Sequence, residues 1–144
     1  NFNYKTKSIF DAEALVSVGE SLIIFTKNRA SKTTQIYKLP KIPGHYEAEK
    51  IGSLKTQSII TGADYHEDLR TLALTSTIDF NTYYLLLLEN FNFTPKTYYM
   101  IDMFEIPIGK SQVEAIKIIS PVEFWLTSED ENNSNSALLF RIEI

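Results

Sequence analysis

Apolar residues along the chain gather in runs of five to eight, rich in Ile, Leu, Tyr, Phe and Thr and separated by polar or turn-forming stretches. Runs of that length and make-up are the signature of β-strands, and no stretch carries the three-and-four spacing of an amphipathic helix. The pattern predicts strands at roughly Ile9–Val16, Leu22–Lys27, Thr34–Leu39, Tyr46–Leu54, Ser58–Tyr65, Thr71–Thr75, Tyr83–Glu89, Thr97–Met103, Val113–Ile119, Glu123–Thr127 and Ala137–Ile144. Strands so closely spaced predict an all-β fold assembled from antiparallel meanders.

The runs recur in order. FDAEAL at 10, ITGADY at 60 and SQVEAI at 111 stand about 50 residues apart, and each is followed by a turn and a second run, LIIFTKN, TLALTST or EFWLTSE. A third run follows a polar loop (QIYKLP, YYLLLLE, ALLFRIE), and two units go on to a fourth, YEAEKIGSL and TYYMIDMF. Four strands per ~50-residue unit is the pattern of a β-propeller blade. The fold expected is therefore about three four-stranded antiparallel blades, with repeats near 9–54, 58–103 and 112–144 inside a single partial β-propeller domain spanning 1–144. A β-sandwich is the alternative.

Propellers close with about four to eight blades, and the third unit stops after its third strand, so the chain reads as half of a propeller of about six. Its last blade lacks the outer strand, and the opening NFNYKTKS reads as an outer strand or linker of a preceding blade. The chain begins at Asn1 rather than Met, which suggests that a leader or a whole preceding segment has been removed. LPKIPGHY at 39–46 reads as the turn into an outer strand, with Gly44 supplying a positive φ. ENNSNS at 131–136 reads as a polar hairpin loop, and the neighbouring acids Glu129, Asp130 and Glu131 as a solvated run or a cation site.

Composition narrows the class. A chain of 144 residues, 44% hydrophobic and 12% aromatic, builds a genuine core. A net charge of -4 with scattered basic residues argues against a nucleic-acid partner. No cysteine is present, which excludes disulfides, thiolate metal sites and thiol nucleophiles. The longest apolar run, Tyr83 to Leu88, is far short of the ~20 residues of a membrane helix.

Candidate chemistry follows from the repeat. In a propeller the first strand of each blade lines a central channel, and aligning the blocks on their acids puts Glu13, Asp64 and Glu114 at one inner position. Three converging carboxylates suit a hard cation such as Ca²⁺. Equally open is a structural role, each acid accepting backbone N–H bonds or pairing with Lys or Arg. Asp11 shares the face of Glu13 and would lie along the channel or at its rim, where His66 is a candidate ligand or general base. His45 reads as an exposed turn residue. No G-x-S-x-G elbow and no glycine-rich phosphate loop occurs. Phe25, Tyr37, Tyr65, Tyr83, Tyr84, Phe124, Trp125 and Phe140 are expected to fill the core; Phe91, Phe93, Tyr98 and Tyr99 are expected at an exposed contact surface or over a seam between blades.

FDAEAL, LIIFTKN, YKLPKIPGHY, IITGADY and the pair VEAI and FWLTSE resemble the later blades of a family of uncharacterised β-propeller proteins exported by Bacteroidetes. The chain departs from that family at Ala115, where glycine is frequent, and in showing no sorting domain. The resemblance implies further N-terminal blades and an exported setting, whether periplasmic, at the cell surface or extracellular. More distantly, the acidic first-strand blocks are similar to the phytase-like esterase and gluconolactonase propellers, which hold a metal in the channel. The functions expected are a binding scaffold for a protein or carbohydrate ligand or, alternatively, a metal-dependent hydrolase of an ester, lactone or phosphate. The partners expected for the chain itself are the missing N-terminal blades or a second copy.

Overall fold

The computed structural model describes residues 2–3, 11–93, 99–108, 111–129 and 137–144. Among them there is no helix. The strands are β1 (Phe2–Asn3), β2 (Asp11–Val18), β3 (Ser21–Lys27), β4 (Thr33–Pro40), β5 (Tyr46–Glu47), β6 (Glu49–Lys55), β7 (Ile59–His66), β8 (Thr71–Thr77), β9 (Tyr83–Leu88), β10 (Asp102–Ile106), β11 (Val113–Ile118), β12 (Glu123–Ser128) and β13 (Leu139–Glu143). The expected runs Ile9–Val16 and Thr97–Met103 begin outside the described residues, as do Tyr98, Asp130, Glu131 and the ENNSNS loop.

Three antiparallel sheets result. Sheet I has the order β2-β3-β4-β6, sheet II β7-β8-β9-β10 and sheet III β11-β12-β13. A short parallel bridge joins β1 to β5, Phe2 opposite Tyr46. The turns are built by local chemistry. Gly19 takes φ +49 between β2 and β3, a conformation that carries no steric penalty without a Cβ. After β3, the Asn28 side chain accepts from the Ala30 and Ser31 amides at 3.0 Å each. Asp79 does the same after β8 for Asn81 and Thr82, at 2.9 and 3.0 Å, and these backbone bonds hold its carboxyl below the ordinary aspartate range.

Sheet II lies between the other two, and its sequence shows why. Along β8, Leu72 and Leu74 face sheet I while Ala73 faces sheet III; along β9, Leu86 and Leu88 face sheet I while Tyr83, Leu85 and Leu87 face sheet III. Side chains alternate across a strand, so a strand covered on both faces must be apolar at every position, as YYLLLL nearly is. One core joins Val16, Ile23, Phe25 and Ile36 of sheet I to the first set; the other joins Val113, Ile116, Phe124 and Leu126 of sheet III to the second. Burying each such side chain contributes about 1.5–3 kcal/mol. Sheet III is covered on one face only: β12 and β13 alternate cleanly, and Trp125 (42% exposed) and Leu139 (63%) lie on the open face.

Several expectations change. Gly44 has no positive φ; a Cβ there would meet the Tyr46 ring at 2.9 Å, so the glycine makes room for an aromatic ring. The fourth strand of sheet II is Asp102–Ile106, later than expected. Phe91 is fully buried, its ring packed on Phe93 (4.7 Å) and Tyr99 (4.6 Å), and its carbonyl accepts from the Tyr65 hydroxyl at 2.9 Å. This cluster joins the core between sheets I and II, so Phe91 closes a seam between sheets and offers no contact surface. Trp125, expected in the core, sits on the open face because β12 presents it opposite Arg141.

Candidate functional site

The first strands of the three sheets run side by side, with β7 packed between β2 and β11. Each carries one register shift near its start: between Ala12 and Ala14 in β2, Ile60 and Gly62 in β7, and Val113 and Ala115 in β11. The extra residues are Glu13, Thr61 and Glu114. A bulge leaves its extra residue unpaired, bends the strand and re-aims that side chain. Thr61 thus stands where Glu13 and Glu114 stand, and Asp64 lies three residues further along β7.

The acids have separate partners. Glu13 pairs with Lys27 at 2.8 Å, the two side chains 21% and 10% exposed. Lys27 is the last residue of β3, so a charge aimed by the bulge is answered within the same sheet. Asp64 reaches into sheet III, where its Oδ2 accepts from the Ile118 amide at 2.8 Å and from Lys117 Nζ at 2.9 Å. Thr61 donates to Thr75 Oγ1 at 3.0 Å inside the core. Glu114 lies exposed on β11. Asp11 is exposed opposite Lys27 at the start of β2. His66, half-buried at the end of β7, accepts at Nδ1 from the Leu69 amide at 3.4 Å and so caps the β7–β8 turn.

Among the described residues no three of His, Cys, Asp and Glu come together as a group able to hold a metal ion. Glu13, Asp64 and Glu114 are thus carried on β2, β7 and β11 without forming such a group among the described residues. What the acids do is join strands and sheets. Glu67, in the β7–β8 turn, adds a further link by accepting from the Gly19 amide at 2.6 Å. Sequence reasoning missed Lys27, Thr61, Glu67 and Lys117; their only signal is an acid or hydroxyl in one block and a lysine some turns away. Gly62 had a stronger one. A Cβ at Gly62 would lie 2.7 Å from Thr75 Oγ1, 3.0 Å from the Glu114 carbonyl oxygen and 3.3 Å from Ala115 Cα, so the glycine of ITGADY lets β11 approach β7.

Among the described residues no helix is long and apolar enough to cross a membrane. Comparison with protein-family models, curated proteins and solved structures found no match.

Proposed function

We propose that the chain is an interaction scaffold made of three blades of a β-propeller, rigid in its sheets and presenting loops at their ends. The observation that carries this reading is the row of first strands: β2, β7 and β11 each open a sheet, lie side by side in chain order and bear a bulge near the same end. In a sandwich two sheets face each other across one core, whereas here a middle sheet has a core on either face. Exposed groups at the loop ends fit a protein or carbohydrate ligand. Phe80, held at φ +63 and half-exposed with Arg29 5.3 Å above its ring, is the best-built of them. The resemblance of the repeated blocks to exported propellers supports an exported setting.

Geometry favours a scaffold over a metal-dependent hydrolase, because Glu13 and Asp64 are each neutralised by a lysine. Two measurements test the reading. Electron microscopy should show sheets arranged radially about an opening, and particles built of two facing sheets would overturn the blade assignment. Calorimetric titration with calcium should give no binding. Stoichiometric binding abolished in both Glu13→Gln and Glu114→Gln would replace the scaffold by a metal site.

A further inference from the structure

Sheets I and II have four strands and sheet III has three, so β13 is an edge; among the described residues nothing pairs with its outer side. The chemistry of that edge is directional. Ser128 donates to the Leu138 carbonyl and Ile144 to the Val122 carbonyl, both at 3.0 Å, so even-numbered residues bond inward to β12. Leu139, Arg141 and Glu143 therefore turn their N–H and C=O groups outward. Phe140 and Ile142 pack half-buried against the second core, while Arg141 lies on the open face between Glu123, at 2.8 Å, and Glu143. The edge has neither proline nor bulge within it, two of the devices that keep edges from pairing.

We infer that this edge pairs with the same edge of a second copy, antiparallel, about a two-fold axis through Ile142. In that register Ile142 faces its own equivalent, Phe140 faces the partner's Ile144, and Arg141 faces the partner's Glu143 twice over. The run F-R-I-E-I has its charges inverted about its central Ile, which an isologous interface requires of itself. Arg141 and Glu143, whose backbone groups point outward, become the hydrogen-bonded pairs. The apolar residues extend the second core across the axis. A slip of the axis to Arg141 would set two guanidinium groups opposite each other, and a slip to Phe140 would set Arg141 against Leu139.

Light scattering and cross-linking test this. The wild-type chain is expected to be a dimer. With no native cysteine, Ile142→Cys should form an intermolecular disulfide on oxidation and Phe140→Cys should not. Arg141→Glu or Glu143→Arg alone should raise the dimer dissociation constant about tenfold or more, and the double swap should restore it. Both charges are exposed, so these variants keep the monomer fold even if a cysteine variant does not. A monomer at every concentration overturns the inference, as does a monomer whose β13 amides resist exchange because another strand covers them. A dimer indifferent to the swaps, or one cross-linked through Phe140→Cys, also overturns it. The inference stands apart from the propeller reading: radial sheets without an Ile142 cross-link would sink the edge pairing alone, and the cross-link without radial sheets would sink the blades alone.

Discussion

Replacing Gly62 by Ala tests the contact that brings sheets II and III together. The added methyl would lie 2.7 Å from Thr75 Oγ1 and 3.0 Å from the Glu114 carbonyl oxygen. Thr75 is fully buried and its hydroxyl accepts from Thr61, so turning Oγ1 away from the added methyl breaks that bond. Relief requires the Thr75 side chain on β8 to turn and β11 to shift away from β7, and overpacking of this kind costs about 1–3 kcal/mol. Losing the Thr61–Thr75 bond adds about 1 kcal/mol, and the reduced freedom of the unfolded chain returns about 0.4–1 kcal/mol. The net is a destabilisation of roughly 2 kcal/mol, or a fall in Tm of roughly 4–8 °C for a chain of this size. Gly52→Ala is the control. Its Cβ would meet only Ile36 Cδ1 at 4.0 Å, so it should be neutral or gain up to about 1 kcal/mol. Scanning calorimetry of both variants, with Thr75→Ala and Gly62→Ala/Thr75→Ala to complete the cycle, reads out the coupling. A Gly62→Ala protein as stable as the wild type would show that Thr75 and β11 do not lie against Gly62 as described.

Three other outcomes are expected. Glu13→Gln leaves Lys27, whose side chain is only 10% exposed, without this counter-charge, and should lower stability by about 1–3 kcal/mol in urea, equally with calcium and with chelator. Asp64→Ala removes the acceptor of the Ile118 amide and should cost about 2 kcal/mol, whereas Lys117→Ala, whose side chain is 61% exposed, should cost well under 1 kcal/mol; equal effects would refute the backbone clamp. The Glu123 carboxyl is held below the ordinary glutamate range by Arg141 and then by the Trp125 indole N–H. A depressed folded-state pKa contributes stability above the unfolded value, about 4.3, that is lost as pH falls through the folded one. The Tm difference between wild type and Arg141→Ala should therefore be full at pH 6 and shrink towards pH 3; a difference that grows on acidification would refute the pairing.

Strand positions were legible because burial on one face or both writes itself directly into the polarity pattern. β3, β4, β7, β8, β9, β11 and β12 fall within a residue or two of the sequence-based expectation. What the pattern does not encode is register. One inserted residue in a bulge shifts every later side chain to the opposite face, so aligning the blocks on their acids matched Asp64 with Glu13 and Glu114, while the pairing matches Thr61. Partners at long range were equally hidden. Nothing near Asp64 in sequence announces Ile118, and nothing near Glu67 announces Gly19. Gly44 misled for a related reason: a Pro-Gly stretch suggests a special φ, but here the glycine answers to the Tyr46 ring.

Within sheets I, II and III the described strands pair with their neighbours in the chain, except that the two-residue β5 stands between β4 and β6. Such local pairing closes short loops and lowers the entropic barrier to forming each sheet. Sheet II has a core cluster on either face, so its β8 and β9 amides should open last. The middle sheet is then the kinetic anchor of the molecule, the unit on which its neighbours dock and from which they detach.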